Sequence, residues 1–175
     1  MSNVALPFAL SRVVLVDGRS GSGKTTLAAQ ISAELSTVDA TAQTLHLDSL
    51  YPGWDGLARG SAAVVTALRE GGYHPYDWHA GQFMERWISL DSSRPLVIEG
   101  CGALTEANLA AARAWAPKLG AAEVRAIWLE CDETLRRERA LARDGEMFAP
   151  HWDEWAAQEA AHYARHEPWL LVRDA

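Results

Sequence analysis

The chain has 175 residues, of which 49% are hydrophobic and 22% are charged, and its formal net charge at pH 7 is −7. This length fits a single domain over residues 1–175, and the acidic balance argues against a general nucleic-acid or anionic-membrane surface. A reduced cytoplasmic protein is favoured because the two cysteines have no metal-ligand or redox spacing and no segment is typical of a signal peptide or a membrane span. The oligomeric state, monomer or homodimer, stays open.

Apolar β-like runs alternate with helical patterns along the chain. Strands are predicted over residues 12–16, 44–47, 96–98, 124–129 and 170–172. Helices are predicted over residues 24–36, 57–70, 83–90, 105–116, 133–143 and 151–166. This alternation predicts a three-layer α/β fold, in which helices cover both faces of a parallel five-stranded sheet. Ligands of such sheets bind at the carboxyl ends of the strands, where we therefore expect the functional residues.

The strongest motif lies between the first strand and the first helix, where residues 17–26 read DGRSGSGKTT. This segment contains the spacing G-x-x-x-x-G-K-[ST] of a phosphate-binding loop. Its glycines let backbone N–H groups surround phosphate oxygens, while Lys24 can reach the β- and γ-phosphates and the Thr25 hydroxyl can bind Mg²⁺. The sequence therefore predicts a site for ATP and Mg²⁺. The predicted nucleotide-binding residues are Gly18, Ser20, Gly21, Ser22, Gly23, Lys24, Thr25 and Thr26.

A second group of candidates follows the second predicted strand. Asp48 is expected beside the γ-phosphate, where a carboxylate can accept a proton from an attacking hydroxyl or help to hold Mg²⁺. Alternatively, Asp48 only caps the following turn. Tyr51 and Trp54 form either a substrate wall or loop packing, and Asp55 is predicted to cap the helix that follows.

Glu99 ends the third predicted strand, at the place of the acidic residue of a Walker B motif. A buried carboxylate at this point is costly without a cation or hydrogen-bond donors, and a water bound to Mg²⁺ would suit it. The alternative is a glutamate that reaches solvent at the edge of the strand.

The helix predicted over residues 133–143 carries a basic face. Arg136, Arg139 and Arg143 are separated by three and four residues and therefore share one side of the helix. Arginines beside a triphosphate can neutralise the charge of the transferred group, although a solvated face balanced by neighbouring glutamates is the alternative. Asp132 is predicted to cap this helix, and Gly145 is predicted to end it.

Taken together, these segments resemble the uridine kinase-like nucleoside kinases, a family of P-loop NTPases. The resemblance is carried by DGRSGSGKTT, LDSLY at 47–51, PYDWH at 75–79, VIEG at 97–100 and the arginine helix at 135–143. It implies ATP-dependent transfer of the γ-phosphoryl group to a hydroxyl of a nucleoside-like acceptor. Asp48 would then be the base that activates a sugar hydroxyl.

The resemblance also implies the surroundings of the two substrates. Tyr76, Asp77 and His79 would lie near the acceptor, and Asp55 would contact its sugar hydroxyls. The arginines would belong to a lid, at about residues 132–147, that closes over ATP and limits its hydrolysis by water. Without the resemblance, the segment from Tyr76 to His79 would be interpreted as a structural turn.

Several acceptors stay open because the chain departs from the family pattern. It has Ala80, Gly81 and Gln82 where the family usually has a basic residue, and it is short between Tyr51 and Pro75. A sugar acid, a coenzyme precursor or a nucleotide is an alternative acceptor. A non-catalytic nucleotide-binding regulatory protein is the alternative from another class, and the acidic balance disfavours a nucleic-acid substrate.

Overall fold

The structure is a computed structural model that describes residues 11–37, 40–116 and 123–172. Its strands are β1 (Ser11–Gly18), β2 (Gln43–His46), β3 (Gly72–Tyr73), β4 (Tyr76–Asp77), β5 (Gln82–Phe83), β6 (Ile88–Ser89), β7 (Leu96–Glu99) and β8 (Glu123–Leu129). Its α-helices are α1 (Lys24–Leu35), α2 (Leu57–Glu70), α3 (Glu106–Trp115), α4 (Glu133–Phe148), α5 (Trp152–His166) and α6 (Pro168–Leu171).

A parallel sheet with the strand order β2-β7-β1-β8 forms the centre of the molecule. Apolar residues of β1 point alternately to its two faces, because side chains alternate along a strand. Val13 and Leu15 belong to the larger core, which includes residues of α2, α3 and α5, whereas Val14 and Val16 pack with α1. These two cores confirm the predicted α/β architecture with helices on both faces.

The described part of the sheet has four strands, so the predicted fifth strand at 170–172 is wrong. Glu167 adopts a left-handed conformation that ends α5, and Pro168 then begins α6. Proline suits a first helical position because it has no N–H to pair. Leu170 and Val172 are exposed, so this short apolar run does not have the burial that a central strand requires.

The helix predicted over 83–90 is also wrong, because this segment pairs in two small antiparallel ribbons, β3 with β6 and β4 with β5. Phe83, Met84 and Trp87 are exposed. Their spacing suggested the apolar stripe of a helix, but the fold gives that stripe no core to contact. The left-handed Gly81, with a φ of 67°, lies between β4 and β5 and turns the chain back.

One predicted helix boundary needs correction, and two are confirmed. Asp55 does not cap α2, since Gly56 is the capping residue and the Asp55 carboxylate lies 3.2 Å from the Arg59 guanidinium. The predicted end of a helix at Gly145 is confirmed, because its φ of 52° and ψ of −131° are not helical and divide Glu133–Phe148 into two helical stretches. The predicted cap at Asp132 is confirmed, because its carboxylate accepts a hydrogen bond from the Leu135 N–H. Within the described ranges, no helix is long and apolar enough to cross a membrane.

Candidate functional site

The phosphate-binding loop connects β1 to α1 in a conformation that requires glycine. Gly21 and Gly23 have φ values of 78° and 98°, in the left-handed region that disfavours side chains. A Cβ atom on Gly21 would collide with the carbonyl group of Arg136. The loop therefore combines left-handed backbone with close packing against α4. The N-terminus of α1, a favourable position for a phosphate group, follows it directly.

Lys24 is buried at the base of this loop, and its ammonium donates a 3.0 Å hydrogen bond to the Arg19 carbonyl. Burial opposes the positive charge, but the surrounding acidic groups, among them Asp17, Glu159 and Glu99, raise the pKa of Lys24 above its ordinary value. The lysine is therefore charged at neutral pH, as a phosphate-binding group must be.

Thr25 and Glu99 converge beside the loop. The Thr25 hydroxyl donates to the Glu99 carboxylate, at 3.3 and 3.4 Å from its two oxygens. Glu99 is buried, with 3% of its surface exposed, so the alternative that it reaches solvent does not describe it. The His46 ring contacts the same carboxylate, with 2.6 Å between Nδ1 and Oε1, and this hydrogen bond raises the pKa of His46.

Sequence reasoning missed His46. Its contact depends on register, because His46 ends β2 and pairs with Glu99 at the end of the neighbouring β7. Two parallel strands that end at the same level bring their last side chains together. The available signal was the position of His46 at the predicted carboxyl end of a strand.

The donor set at Thr25 and Glu99 suits Mg²⁺, which prefers hard oxygen ligands and is usually bound by few protein groups together with phosphates and waters. No group of three or more His, Cys, Asp or Glu side chains is arranged to hold a metal within residues 11–37, 40–116 and 123–172. The residues present therefore fit an ion that binds together with a triphosphate, with Thr25 and Glu99 as its protein ligands.

Asp48 lies in a short 3-10 turn, Leu47–Ser49, that directly follows β2. Asp48 is exposed and lines a cavity of about 690 Å³. Desolvation of its carboxyl by the residues around this cavity, and the nearby negative charge of Glu99, raise the pKa of Asp48 above the ordinary value of 3.8. No hydrogen bond described for this turn uses the Asp48 side chain as a cap.

The cavity joins the loop to the strand ends, as predicted for a parallel sheet. Its charged and polar lining includes Lys24, Thr25, His46, Asp48, Glu99 and Arg143. Its volume is typical of a small-molecule site. Of the predicted nucleotide-binding residues, those that share this cavity with the predicted base are Ser20, Gly21, Lys24 and Thr25.

The three arginines of α4 have different surroundings. Arg136 is buried, and its guanidinium donates to the carbonyls of Ser20, at 3.1 Å, and of Cys131, at 3.2 Å. Arg139 is exposed, 3.7 Å from the Cys131 sulfur. Arg143 lines the cavity. The structure therefore places Arg143 near the expected reacting groups and uses Arg136 to secure the loop.

The predicted acceptor residues, like the three arginines, differ in whether they line the cavity. Tyr51 lines the cavity, whereas Asp55, Tyr76, Asp77 and His79, all within the described ranges, are not part of its lining. The Asp77 carboxylate accepts hydrogen bonds from the backbone N–H groups of His79 and Ala80, which lower its pKa. This is the geometry of a turn, the alternative that the sequence left open, and the role of these four residues toward an acceptor stays a prediction.

Two buried carboxylates behind the loop were not predicted, and the first is Asp17. It accepts hydrogen bonds from the N–H groups of Gly102 and Leu104, at 3.0 and 2.8 Å, and from the Tyr163 hydroxyl at 2.8 Å. Burial outweighs these contacts and raises the pKa of Asp17 to about 6. Asp17 therefore ties β1 to the β7–α3 connection and to α5.

The second is Glu159 of α5, which is 1% exposed. Its carboxylate accepts a 2.7 Å hydrogen bond from the Ser20 N–H of the loop. The guanidinium groups of Arg136 and Arg19 lie 3.8 and 4.0 Å away. The sequence contained a signal, because Trp155, Glu159 and Tyr163 are four residues apart on the buried face of one helix.

Comparisons with known proteins agree with this architecture. No protein-family model and no curated protein matches the chain. A structure described as a possible uridine kinase from Bacillus stearothermophilus is 19% identical, covering 94% of this chain and 88% of that chain with a TM-score of 0.53. A structure described as a fructose transport system kinase from Silicibacter sp. TM1040 is 18% identical, covering 98% and 86%, with a TM-score of 0.49. The first likeness confirms that this chain has the P-loop kinase fold.

Proposed function

We propose that this protein is an ATP-dependent phosphotransferase that transfers the γ-phosphoryl group of ATP to a hydroxyl of a small molecule, for which the resemblance implies a nucleoside-like acceptor. The observation that carries the proposal is the shared cavity, in which Lys24, Thr25 and Glu99 lie together with the Asp48 carboxylate. Phosphoryl transfer requires a phosphate cradle, oxygen ligands for Mg²⁺ and a group that receives the proton of the acceptor. This cavity contains candidates for all three.

In the proposed reaction, the acceptor oxygen forms a bond to the γ-phosphorus while the bond from that phosphorus to the β–γ bridging oxygen breaks. ADP leaves with the electron pair of that bond, and Asp48 receives the hydroxyl proton. Lys24 and the loop N–H groups hold the phosphates, and Thr25 and Glu99 would hold Mg²⁺, which would supply positive charge to the phosphate oxygens. Positioning and electrostatic stabilisation then account for the rate.

Arg143 would add positive charge from α4, which forms the proposed lid. The interruption of the helical backbone at Gly145, directly after this part of α4, allows the two ends of the helix to differ in direction. A lid that brings Arg143 over the phosphates would exclude water and so favour transfer to the acceptor over hydrolysis.

A regulatory nucleotide-binding protein is the competing function. It would need the loop and the Mg²⁺ ligands but would have no use for a proton acceptor in the same cavity. The Asp48 carboxylate opens onto this cavity with a raised pKa, which brings it closer to the value that suits a general base at neutral pH. This observation favours the enzyme.

The test is release of ADP from ATP and Mg²⁺ in the presence of nucleosides, sugars, sugar acids, coenzyme precursors and nucleotides, with wild type and Asp48→Asn compared. We expect acceptor-dependent release by the wild type and a loss of about 10²–10⁴-fold in the variant. Asp153→Asn is the matched control, because Asp153 is an exposed residue in the first turn of α5, outside the cavity lining, and its substitution should leave turnover unchanged. Equal turnover by wild type and Asp48→Asn would contradict the assigned base.

A further inference from the structure

We propose that the acceptor is an uncharged alcohol whose main feature is a flat aromatic ring system, recognised by apolar contact and not by hydrogen bonds to several hydroxyls. This inference rests on the proposed phosphoryl transfer, and it assigns an acceptor of a different class from the nucleoside-like one that the resemblance implies. It is carried by the aromatic wall, a name we give to five side chains that line the cavity around Asp48. The aromatic wall consists of Tyr51, Trp54, Trp78, Phe148 and Trp155.

The rings of the aromatic wall hold one another in place. Trp54 lies nearly parallel to Phe148, with an interplanar angle of 11° and 5.3 Å between centroids, and Trp78 packs against it at 4.6 Å. Trp155 meets both Trp54 and Tyr51 edge to face. Tyr51, Phe148 and Trp155 are each at most 4% exposed, so the half-buried Trp54 and Trp78 supply most of the ring surface that faces the cavity. Aromatic side chains fixed in this way present an apolar surface at a low entropic cost of binding.

The polar atoms of the aromatic wall already have partners or are enclosed. The Tyr51 hydroxyl donates to the Cys101 carbonyl, and the Trp78 indole N–H donates to the Asp48 carbonyl, both at 2.8 Å. The Trp155 indole nitrogen is buried and has no hydrogen-bond partner within the described part of the chain. A polyhydroxylated acceptor would therefore lose hydrogen bonds to water and gain few from the aromatic wall. Each hydroxyl left unpaired costs free energy.

The charges around the cavity disfavour an anionic acceptor. Asp48 and Glu99 contribute two carboxylates to its lining. The proposed reaction already uses the positive charges of Lys24 and Arg143 for the phosphates of ATP, and the His46 ring binds Glu99. The charge of Arg143 also partly offsets the rise in the pKa of Asp48. A sugar acid or a nucleotide would bring further negative charge to this site.

The test measures ADP release with acceptors that differ in one property at a time. Indole-3-ethanol supplies a flat ring and one neutral hydroxyl, indole-3-lactate adds a carboxylate, and glucose and uridine add hydroxyls. We expect kcat/KM for indole-3-ethanol to exceed that of each of the other three by about tenfold or more. Mass spectrometry should identify the product as the phosphate monoester of the alcohol.

Variants connect this preference to the aromatic wall. Trp54→Leu should raise KM for indole-3-ethanol by about tenfold and leave KM for ATP unchanged, and Trp54→Phe should restore most of the loss. Trp87→Leu is the matched control, because Trp87 is an exposed tryptophan outside the cavity lining. Thermal unfolding of each variant separates a loss of contact from a loss of folding.

The outcomes distinguish the two proposals. A kcat/KM that is highest with glucose, uridine or indole-3-lactate would overturn the acceptor class and leave the proposed kinase intact. Equal effects of Trp54→Leu and Trp87→Leu on KM would do the same. ATP binding without ADP release on any acceptor, with Asp48→Asn indistinguishable from wild type, would overturn the proposed function and the acceptor class together.

Discussion

The two ends of the cavity are built in different ways. The phosphate end is made from one continuous stretch of chain, the loop between β1 and α1, and is supported from behind by the buried carboxylates of Asp17 and Glu159. The acceptor end is made from single aromatic side chains that come from distant parts of the sequence. The first end is therefore fixed by local backbone conformation and charge, whereas the second depends on how separate elements pack.

This difference explains which parts of the site could be predicted from the sequence. The loop was predicted because its glycines, Lys24 and Thr25 act at fixed spacing between a strand and a helix. Asp48 and Glu99 were found from the general rule that ligands bind where parallel strands end. The partners of these residues, such as His46, depend on strand register, which no local pattern contains.

The acceptor end was predicted less completely for the same reason. Tyr51 and Trp54 were recognised as candidates, but Trp78 and Phe148 join them only through tertiary packing. The segment after Trp78 was predicted as a helix because its apolar residues have helical spacing, and only the fold shows that they are exposed. Its real structure, two short ribbons, brings Trp78 close enough to donate to the Asp48 carbonyl.

If the phosphate end works through charge, Lys24→Ala should have the largest effect among substitutions at that end. Removing one preorganised cation from the phosphates should lower kcat/KM for ATP by about 10²–10³-fold. Steady-state kinetics with ATP as the varied substrate measures this loss. Arg139→Ala, at an exposed position of α4, is the control and should stay within about twofold of wild type. A similar loss in both variants would show that general positive charge, and not Lys24, serves ATP.

A second prediction concerns the pH dependence of stability behind the loop. Burial raises the pKa of Asp17 from 3.8 to about 6, so the folded state binds more protons than the unfolded state between these values. The contribution of Asp17 to the free energy of unfolding is therefore fully present below pH 3.8 and is lost as pH rises through 6, by up to about 3 kcal/mol. Urea unfolding of wild type and Asp17→Asn between about pH 3 and about pH 7, roughly one unit beyond each end of the range, checks this. Identical pH slopes would contradict it.

A smaller loss in the free energy of unfolding is expected from substitution of Glu159, which links α5 to the loop. Glu159→Ala leaves the buried Ser20 N–H without its acceptor and should lower the free energy of unfolding by about 1–3 kcal/mol. Glu159→Gln keeps an oxygen for this N–H and should lose less, while removing the charge beside Arg136. Glu154→Ala, on the exposed face of the same helix, is the control. Equal stability of the Glu159→Ala and Glu154→Ala proteins would show that the loop does not depend on α5.

The most direct test of the proposed function is the pH dependence of kcat with a saturating acceptor, compared between wild type and Asp48→Asn. A base must be ionised to accept the hydroxyl proton, so wild-type kcat should rise with pH through an apparent pKa above the ordinary aspartate value of 3.8. Asp48→Asn should have a low kcat without this rise. A variant that keeps both the rate and the rise would contradict the assignment of Asp48 as the proton acceptor and with it the proposed mechanism.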